Sequence, residues 1–598
     1  MGVLFLAHGG QMSRQIGLGI GLKIGLAGAA LAACPGLALA QVTPPPPAPT
    51  PEQQAQATQT AQQLNPADQT AGRRASDDDV FDAPPPGPCP LASSTLSFQL
   101  KSVTFTGATT IKNVDLASTY AGKIGQTVSL ADVCAIRDRA SALLFRSGVL
   151  ARVEIPEQTI SGGALVLDVT TARVVSVFVK GDGGPAMGKV ADYIEKLRGM
   201  DPFDLRQAQR YLLLASDVPG VTVSARLRPA PGSEPGAVDF YVDVTYDPMS
   251  ATVSLQNMGS EALGPGAALI RGDFSGLTPY GDRTSLILFN SLDGKEQNVV
   301  QLQEEFRIGS EGLTVHGSVS LGKSRPGDTL KDLHLDGSSM VANVGISYPI
   351  IRGRRRNVVL SSGLELVNQS LKIGPTQTRL NDDKLRIAYA TVEAAQSWPL
   401  FRSPHAPMIS VGGDLSLRKG LSGLGASKAG DLNLSRFEGQ PDALVTRFNG
   451  RINLRTVSGF TFDLKASVQE TSKVLLSYED FVAGNYTIGR GYDPASVQGD
   501  KGWGTAVELG YGPFPLLSKA LNGRARAAVF GFYDTAHVDN LSAGGLHRTV
   551  HSEGVGVRVD LPHNIRLEAT YAHPLDKPFP TAVAIPDDRW LINLTTRF

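Results

Sequence analysis

Beyond Met249 the chain alternates apolar and polar positions with a period of two. Leu313, Val315, Gly317, Val319 and Leu321 interleave with Thr314, His316, Ser318 and Ser320. Phe460, Phe462, Leu464, Ala466 and Val468 interleave with Thr461, Asp463, Lys465 and Ser467. Val555, Val557, Val559 and Leu561 do the same with Gly556, Arg558 and Asp560, and the chain ends on Trp590, Ile592, Leu594, Thr596 and Phe598. Such a period predicts strands with one apolar and one polar face. A soluble sandwich would alternate too, with its polar face outward. Past the N-terminus no run of about 20 apolar residues could form a spanning helix. A membrane offers exposed backbone no partners, so a chain that crosses it in strands must close them into a barrel. At about 21 residues per strand plus turn, residues 249–598 hold roughly 16 antiparallel strands. The pattern predicts a transmembrane β-barrel with lipid outside and a hydrated lumen.

Two α+β modules of about 75 residues each precede it. The first, within 89–171, has a strand across Phe98, Leu100, Val103 and Phe105, and a helix from about Leu130 to Ser147. Val133, Ile136, Ala140, Leu143 and Leu144 share one face of that helix, and Gly148 stops it. Strands follow near Ala151–Ile155 and Ala164–Val169. The second, within 172–248, has strands near Val174–Val179, Val221–Leu227 and Ala237–Val244, and helices near Met187–Leu197 and Asp204–Ser216.

The N-terminus places these parts in a compartment. Arg14 and Lys23 lead into the apolar Ile24–Leu31, and Ala38-Leu39-Ala40 supplies small residues before Gln41. Residues 1–40 therefore read as a secretory signal peptide cleaved after Ala40, with Met12 as an alternative start. Leu31-Ala32-Ala33-Cys34 has the look of a lipoprotein site, but Pro35 argues for ordinary cleavage. Two cysteines remain, Cys89 and Cys134. In an oxidising compartment they read as a disulfide, worth about 4 kcal/mol for a loop of that length; two free thiols are the alternative. Residues 41–88 are rich in proline and glutamine and carry few large apolar residues, so they form a linker whose middle, 51–64, is a candidate short polar helix.

Composition removes several classes. Lysine plus arginine and aspartate plus glutamate both total 56, for a formal net charge of zero, which leaves no global drive toward nucleic acid. Gly423–Lys428 lacks phosphate-loop spacing, and His547 and His551 have no glutamate between them in the metalloprotease position. No G-x-S-x-G elbow is present. The sequence thus predicts no enzyme and no cofactor or metal. One polar stretch stands out among the strands: Thr487-Ile488-Gly489-Arg490-Gly491-Tyr492-Asp493-Pro494, then Gly499-Asp500-Lys501-Gly502-Trp503. Arg490 sits between glycines, where the backbone can bend tightly and nothing crowds the guanidinium.

Taken together the chain resembles the outer-membrane transporters of two-partner secretion, the haemolysin secretion/activation family. Cys89, Cys134, Gly148, Ile155-Pro156-Glu157-Gln158 and Gly162-Gly163 are similar to that family's first POTRA domain. Leu212-Leu213-Leu214, Asp217-Val218-Pro219-Gly220-Val221 and Pro229 are similar to its second, and Asn257-Met258-Gly259-Ser260 with Gly264 to the opening of its barrel. Gly489-Arg490-Gly491-Tyr492 matches the sixth-loop motif, and Gly499, Asp500, Gly502 and Glu508 match the following strand. Phe532-Tyr533-Asp534 resembles the strand motif whose aspartate meets the loop arginine, departing from it at Thr535-Ala536.

The resemblance implies two periplasmic POTRA domains, a 16-stranded barrel in the outer membrane of a Gram-negative bacterium, and a plug helix for which 51–64 is the candidate. It implies that Asp534 pairs with Arg490, and that Trp590 and Phe598 belong to a C-terminal barrel signal. The implied partners are a secreted protein in extended form, outer-membrane lipid and, during biogenesis, the barrel assembly machinery; the chain itself is a monomer. An assembly factor of the same superfamily would carry more POTRA domains, and a passive porin would need no folded modules.

Overall fold

The computed structural model describes residues 89, 94–111, 114–401, 406–515, 525–545, 547–579, 582 and 584–598. The expected signal peptide, linker and plug helix lie outside the described residues.

The first module contains β1 (Ser97–Gln99), β2 (Ser102–Thr106), β3 (Thr127–Ser129), α1 (Leu130–Arg146), β4 (Ala151–Glu154) and β5 (Ala164–Thr171). The single strand expected across Phe98–Phe105 is two. β1 pairs with β3, whereas β2 runs parallel to β5 in the sheet β2-β5-β4. The break falls where Leu100 donates to Gln126 while Lys101 and Ser102 donate to Gly163, so the backbone changes partners there. The fully buried Leu100 side chain joins the core between α1 and the sheet, with Ile136, Ala140, Leu144, Leu165 and Leu167. Cys89 and Cys134 form a disulfide that ties the start of the module to α1.

The start of α1 is closed by a reciprocal cap. Ser129 Oγ accepts from Asp132 N (3.2 Å), and the Asp132 carboxylate accepts from Ser129 N (3.0 Å). That backbone donor, together with the Lys123 ammonium at 3.0 Å and the Ser129 hydroxyl, lowers the Asp132 pKa from 3.8 to about 2. A carboxyl depressed on folding stabilises the folded state above its unfolded pKa and loses that effect as pH falls through the folded one. Protection of the amides in the first turn of α1, taken relative to the intrinsic exchange rate at each pH, is therefore expected to fall between pH 4 and pH 2. Asp132→Asn should abolish that step, and a step that persists in the variant would assign it elsewhere.

The second module contains β6 (Arg173–Gly181), α2 (Met187–Glu195), α3 (Leu205–Ser216), β7 (Val221–Pro229) and β8 (Ala237–Tyr246), with sheet order β6-β8-β7. Both helices press on the sheet through Val190, Tyr193, Ile194, Ala208, Leu212, Phe240 and Val242. The module also docks on the near-side turns of the barrel. Arg352 grips Asp217 with both Nε and Nη2 at 2.7 Å, Arg307 donates to the Asp217 carbonyl at 2.7 Å, and Arg210 donates to the Pro349 and Glu311 carbonyls.

From Met249 the chain forms a closed barrel of 16 antiparallel strands, the first at Met249–Gln256 pairing with the last at Arg589–Arg597. No described helix is long and apolar enough to cross a membrane; the strands make the crossing. The expected alternation holds around the wall. Leu509, Val529, Val555 and Ile592 lie on the exposed outer face, while Arg271, Gln301 and Asp534, all nearly inaccessible, lie on the inner one. Trp590 and Phe598 are among the exposed outer positions, Trp590 with its ring 5.3 Å from that of Tyr571. Turns on the module side are mostly short, such as 455–460 and 561–565, and the longer loops stand at the far end. Residues 472–500, between the eleventh strand (Phe460–Thr471) and the twelfth (Lys501–Pro515), enter from that far end and fold back inside the wall.

Candidate functional site: the lumenal loop

The loop begins with a small hairpin. Phe481–Ala483 pairs with Val497–Gly499, and the intervening residues carry Arg490 at the tip. Gly489 has φ +115°, a conformation that a side chain disfavours. Beside it Gly491 lies against the wall, where an added Cβ would come within 2.8 Å of Ser552 and 2.9 Å of the Pro574 backbone. The two glycines therefore do separate jobs, one bending the chain and one letting it approach.

Arg490 is held by two strands. Its Nη2 and Nε lie 2.7 and 2.9 Å from the two oxygens of Asp534 on the thirteenth strand (Arg526–Asp539). Asp534 also accepts from the backbone of Arg490 at 3.0 Å. Nη1 lies 3.0 Å from Glu508 on the twelfth strand, and the guanidinium covers the Phe532 ring at 3.6 Å. Asp534 is 1% exposed, so its charge is balanced by donors rather than by water. Thr535-Ala536, where the motif departs, simply continues the thirteenth strand.

Tyr492 is buried beside Ile488, Phe481, Ala506, Ala536, Val538 and Val550. Its hydroxyl has the carbonyls of His551 (2.8 Å) and Asp576 (3.0 Å) within reach of its one proton and accepts from Asp576 N. Gly502 makes room for the Phe481 ring, which an added Cβ would meet at 2.3 Å. Gly499 closes the hairpin and places Asp500 beneath it.

Asp500 is completely buried and does more than its place in the motif suggested. It accepts from Leu475 N and Leu541 N at 2.6 Å and takes both arms of Arg436, at 2.7 and 3.0 Å. Arg436, from the far-side loop 421–443, also reaches Asp480 at 2.8 Å and Asn540 at 3.1 Å. A second ionic group lies beside it. Arg418 on the ninth strand (Met408–Gly420) reaches Glu479 at 2.7 Å and Glu365 at 2.6 Å, and Arg447 on the tenth strand (Leu444–Arg455) supports the Glu479 carboxylate at 3.4 Å. Sequence reasoning missed Arg436, Arg418, Glu479 and Asp480. Their one signal was a charged pair, Glu479-Asp480, set between Leu475-Leu476 and Phe481-Val482.

At the other side the tip meets the seam of the barrel. Asn485 donates to the Met258 carbonyl (3.0 Å) and Asp493 pairs with Arg589 (2.6 Å). One loop is thus bound at its stem to the seventh strand (Arg356–Ile373), through Tyr478 and Glu365, and to the ninth and tenth. Its tip is bound to the twelfth through fourteenth, and beyond that to the barrel seam. His547 and His551 share no partner: the former pairs with Asp539 and the latter with Asp576.

The model of the haemolysin secretion/activation protein family, ShlB/FhaC/HecB, matches residues 238–559, more than half the chain. The chain belongs to this family. It is therefore an outer-membrane transporter of two-partner secretion, with POTRA structure on the periplasmic side of the membrane and a secreted protein as its partner. The family's POTRA domain model matches residues 98–171, the first module. Among solved structures, CdiB from Escherichia coli is similar over 92% of this chain and 99% of its own, with a TM-score of 0.71 and 15% identity. CdiB from Acinetobacter baumannii is similar over the same shares, with a TM-score of 0.63 and 14% identity. At such identities the likeness is one of fold. Among curated protein sequences none matches. In this transporter the arginine loop lies against the inner face of the barrel wall.

Proposed function

We propose that the transporter receives its secreted partner as an unfolded chain, through two POTRA domains at 89–171 and 172–248, and that the arginine loop sets the state of the pore. The observation that carries the proposal is a single loop fastened to opposing parts of one barrel wall. A chain in extension cannot pass while all those contacts hold.

Sheet edges support the first step. β6 is an edge strand of the second module, and Val175, Phe178 and Val179 stand exposed along it. An extended peptide that adds to such an edge gains backbone hydrogen bonds, while alternate side chains find apolar contact. Folding of the exported chain outside the cell gives the direction, and no cofactor enters the scheme. The transporter works as a monomer, placed in the membrane by the barrel assembly machinery, with residues 51–64 as the candidate plug segment. An adhesin, a haemolysin and a contact-dependent toxin are the classes of cargo to test.

Deletion of residues 96–247 is expected to abolish export while the barrel still reaches the outer membrane. Export is read from the secreted product of the neighbouring gene, and membrane arrival from the heat-resistant mobility of the barrel. Continued secretion by the truncated chain would remove the modules from the mechanism.

A further inference from the structure

Two arginines occupy neighbouring seats of one design on the lumenal wall. Phe532 lies across from Gly554, and Phe530 across from Gly556 on the fourteenth strand (His547–Leu561). Each ring covers its glycine closely: an added Cβ would meet Phe532 at 2.6 Å or Phe530 at 2.3 Å. A guanidinium then covers each ring, Arg490 at 3.6 Å over Phe532 and Arg558 at 3.9 Å over Phe530. Glu508 joins the seats. One of its oxygens takes Arg490 Nη1 at 3.0 Å and Arg558 Nη2 at 3.1 Å, and the other takes Arg558 Nη1 at 2.5 Å. Glu568 holds Arg558 from below through Nε at 2.8 Å. Acids and arginines therefore alternate along the wall as Asp534, Arg490, Glu508, Arg558 and Glu568.

We infer that Arg558 is a positioning residue for the arginine loop: it fixes Glu508 and fills the second seat, so that Arg490 has one place to dock. Glu508 has one fork and two cationic claimants, and the one on the rigid strand orients it for the one on the loop. Without Arg558 the Glu508 carboxylate turns freely, and an empty seat of equal chemistry opens two residues along the same strand. A guanidinium is required in this role, because a lysine offers no planar fork for Glu508 and stacks poorly on the ring. The inference rests on the reading of Arg490 as the brace of the loop.

The test uses the full-length transporter with Thr487→Cys at the loop tip, labelled by a membrane-impermeant maleimide. Arg558→Ala is expected to raise the labelling rate about tenfold, as coupling between neighbouring charges allows. Arg490→Ala should raise it at least as much, and the double variant should not exceed Arg490→Ala alone. Arg558→Lys should recover only part of the parental rate. A parental rate in Arg558→Ala beside a raised one in Arg490→Ala would overturn the inference, as would effects that multiply in the double variant. A parental rate in Arg490→Ala would instead overturn the brace reading, and this inference with it. Heat-resistant mobility reports assembly. If Arg558→Ala fails to assemble, Glu568→Gln carries the test, with a smaller rise expected and a parental rate counting against the inference.

Discussion

Asp534→Ala is expected to release the loop tip and to cost about 3–5 kcal/mol of local stability, the range for removing one partner of a buried ion pair. The magnitude follows from what is left behind. Arg490 would keep Glu508 and the Phe532 ring, and the backbone N–H of Arg490 would lose its acceptor as well. An intact pair would add far less than this to stability, since burial of both charges offsets most of their attraction. Its value is positional: the fork fixes both the loop and the direction of the guanidinium. Secretion is expected to fall severely, and single-channel recordings should show frequent conductance changes in place of a steady level. Arg490→Ala should behave alike but more mildly, because Asp534 then has an empty lumen, with water to reach it. Wild-type secretion and conductance in both variants would remove the pair from the mechanism.

Asp500→Ala is expected to disturb the stem of the loop at least as much. Two backbone donors, Leu475 N and Leu541 N, would be left buried without their acceptor, each costing about 1–3 kcal/mol. Arg436 would lose both of its 2.7–3.0 Å contacts to that carboxylate and retain Asp480 and Asn540. Arg436 is one of several ties between loops 421–443 and 472–500, beside Lys473–Asp442 and Ser477–Ser435, and loss of its main anchor should leave both loops more open to protease added outside the cell. Asp500→Asn keeps an acceptor for one amide and should fall between the parent and the alanine variant. Protease resistance equal to the parent in Asp500→Ala would show that the stem is held by Arg418 and Glu479 instead.

The two arginine clamps differed in how far they could be read in advance. Arg490 was conspicuous because glycines flank it, and Asp534 could be named because Phe532-Tyr533-Asp534 resembles a family motif. Nothing in their spacing of 44 residues said that they would touch. Arg436 had no such mark. In a loop with Ser435, Glu438 and Gly439 it looks like any solvated cation, and only the return of residues 472–500 into the barrel buries it beside Asp480 and Asp500. Arg558 was visible solely as a polar member of an alternating strand. Its role comes from Phe530 and Glu508, on two other strands.

The break at Leu100–Lys101 shows the same limit at smaller scale. Phe98 and Leu100 keep one period of two and Val103 and Phe105 another, with a step of three from Leu100 to Val103, so a slip of phase was the one local sign of a break. The switch from Gln126 to Gly163 as backbone partner depends on where other strands lie.

By itself the sequence determined which faces the strands would have. Successive side chains point to opposite sides of a strand, so an alternating chain carries its two surfaces wherever it folds. It determined the glycine-flanked arginine for a similar reason, since backbone freedom and a bare flank are local properties. Tertiary structure alone decided which charges meet. Apart from Glu568, which faces Arg558 across one hairpin, the acids around Arg490, Arg436 and Arg558 come from other strands and loops, and they become neighbours only when the barrel forms and the loop folds into it.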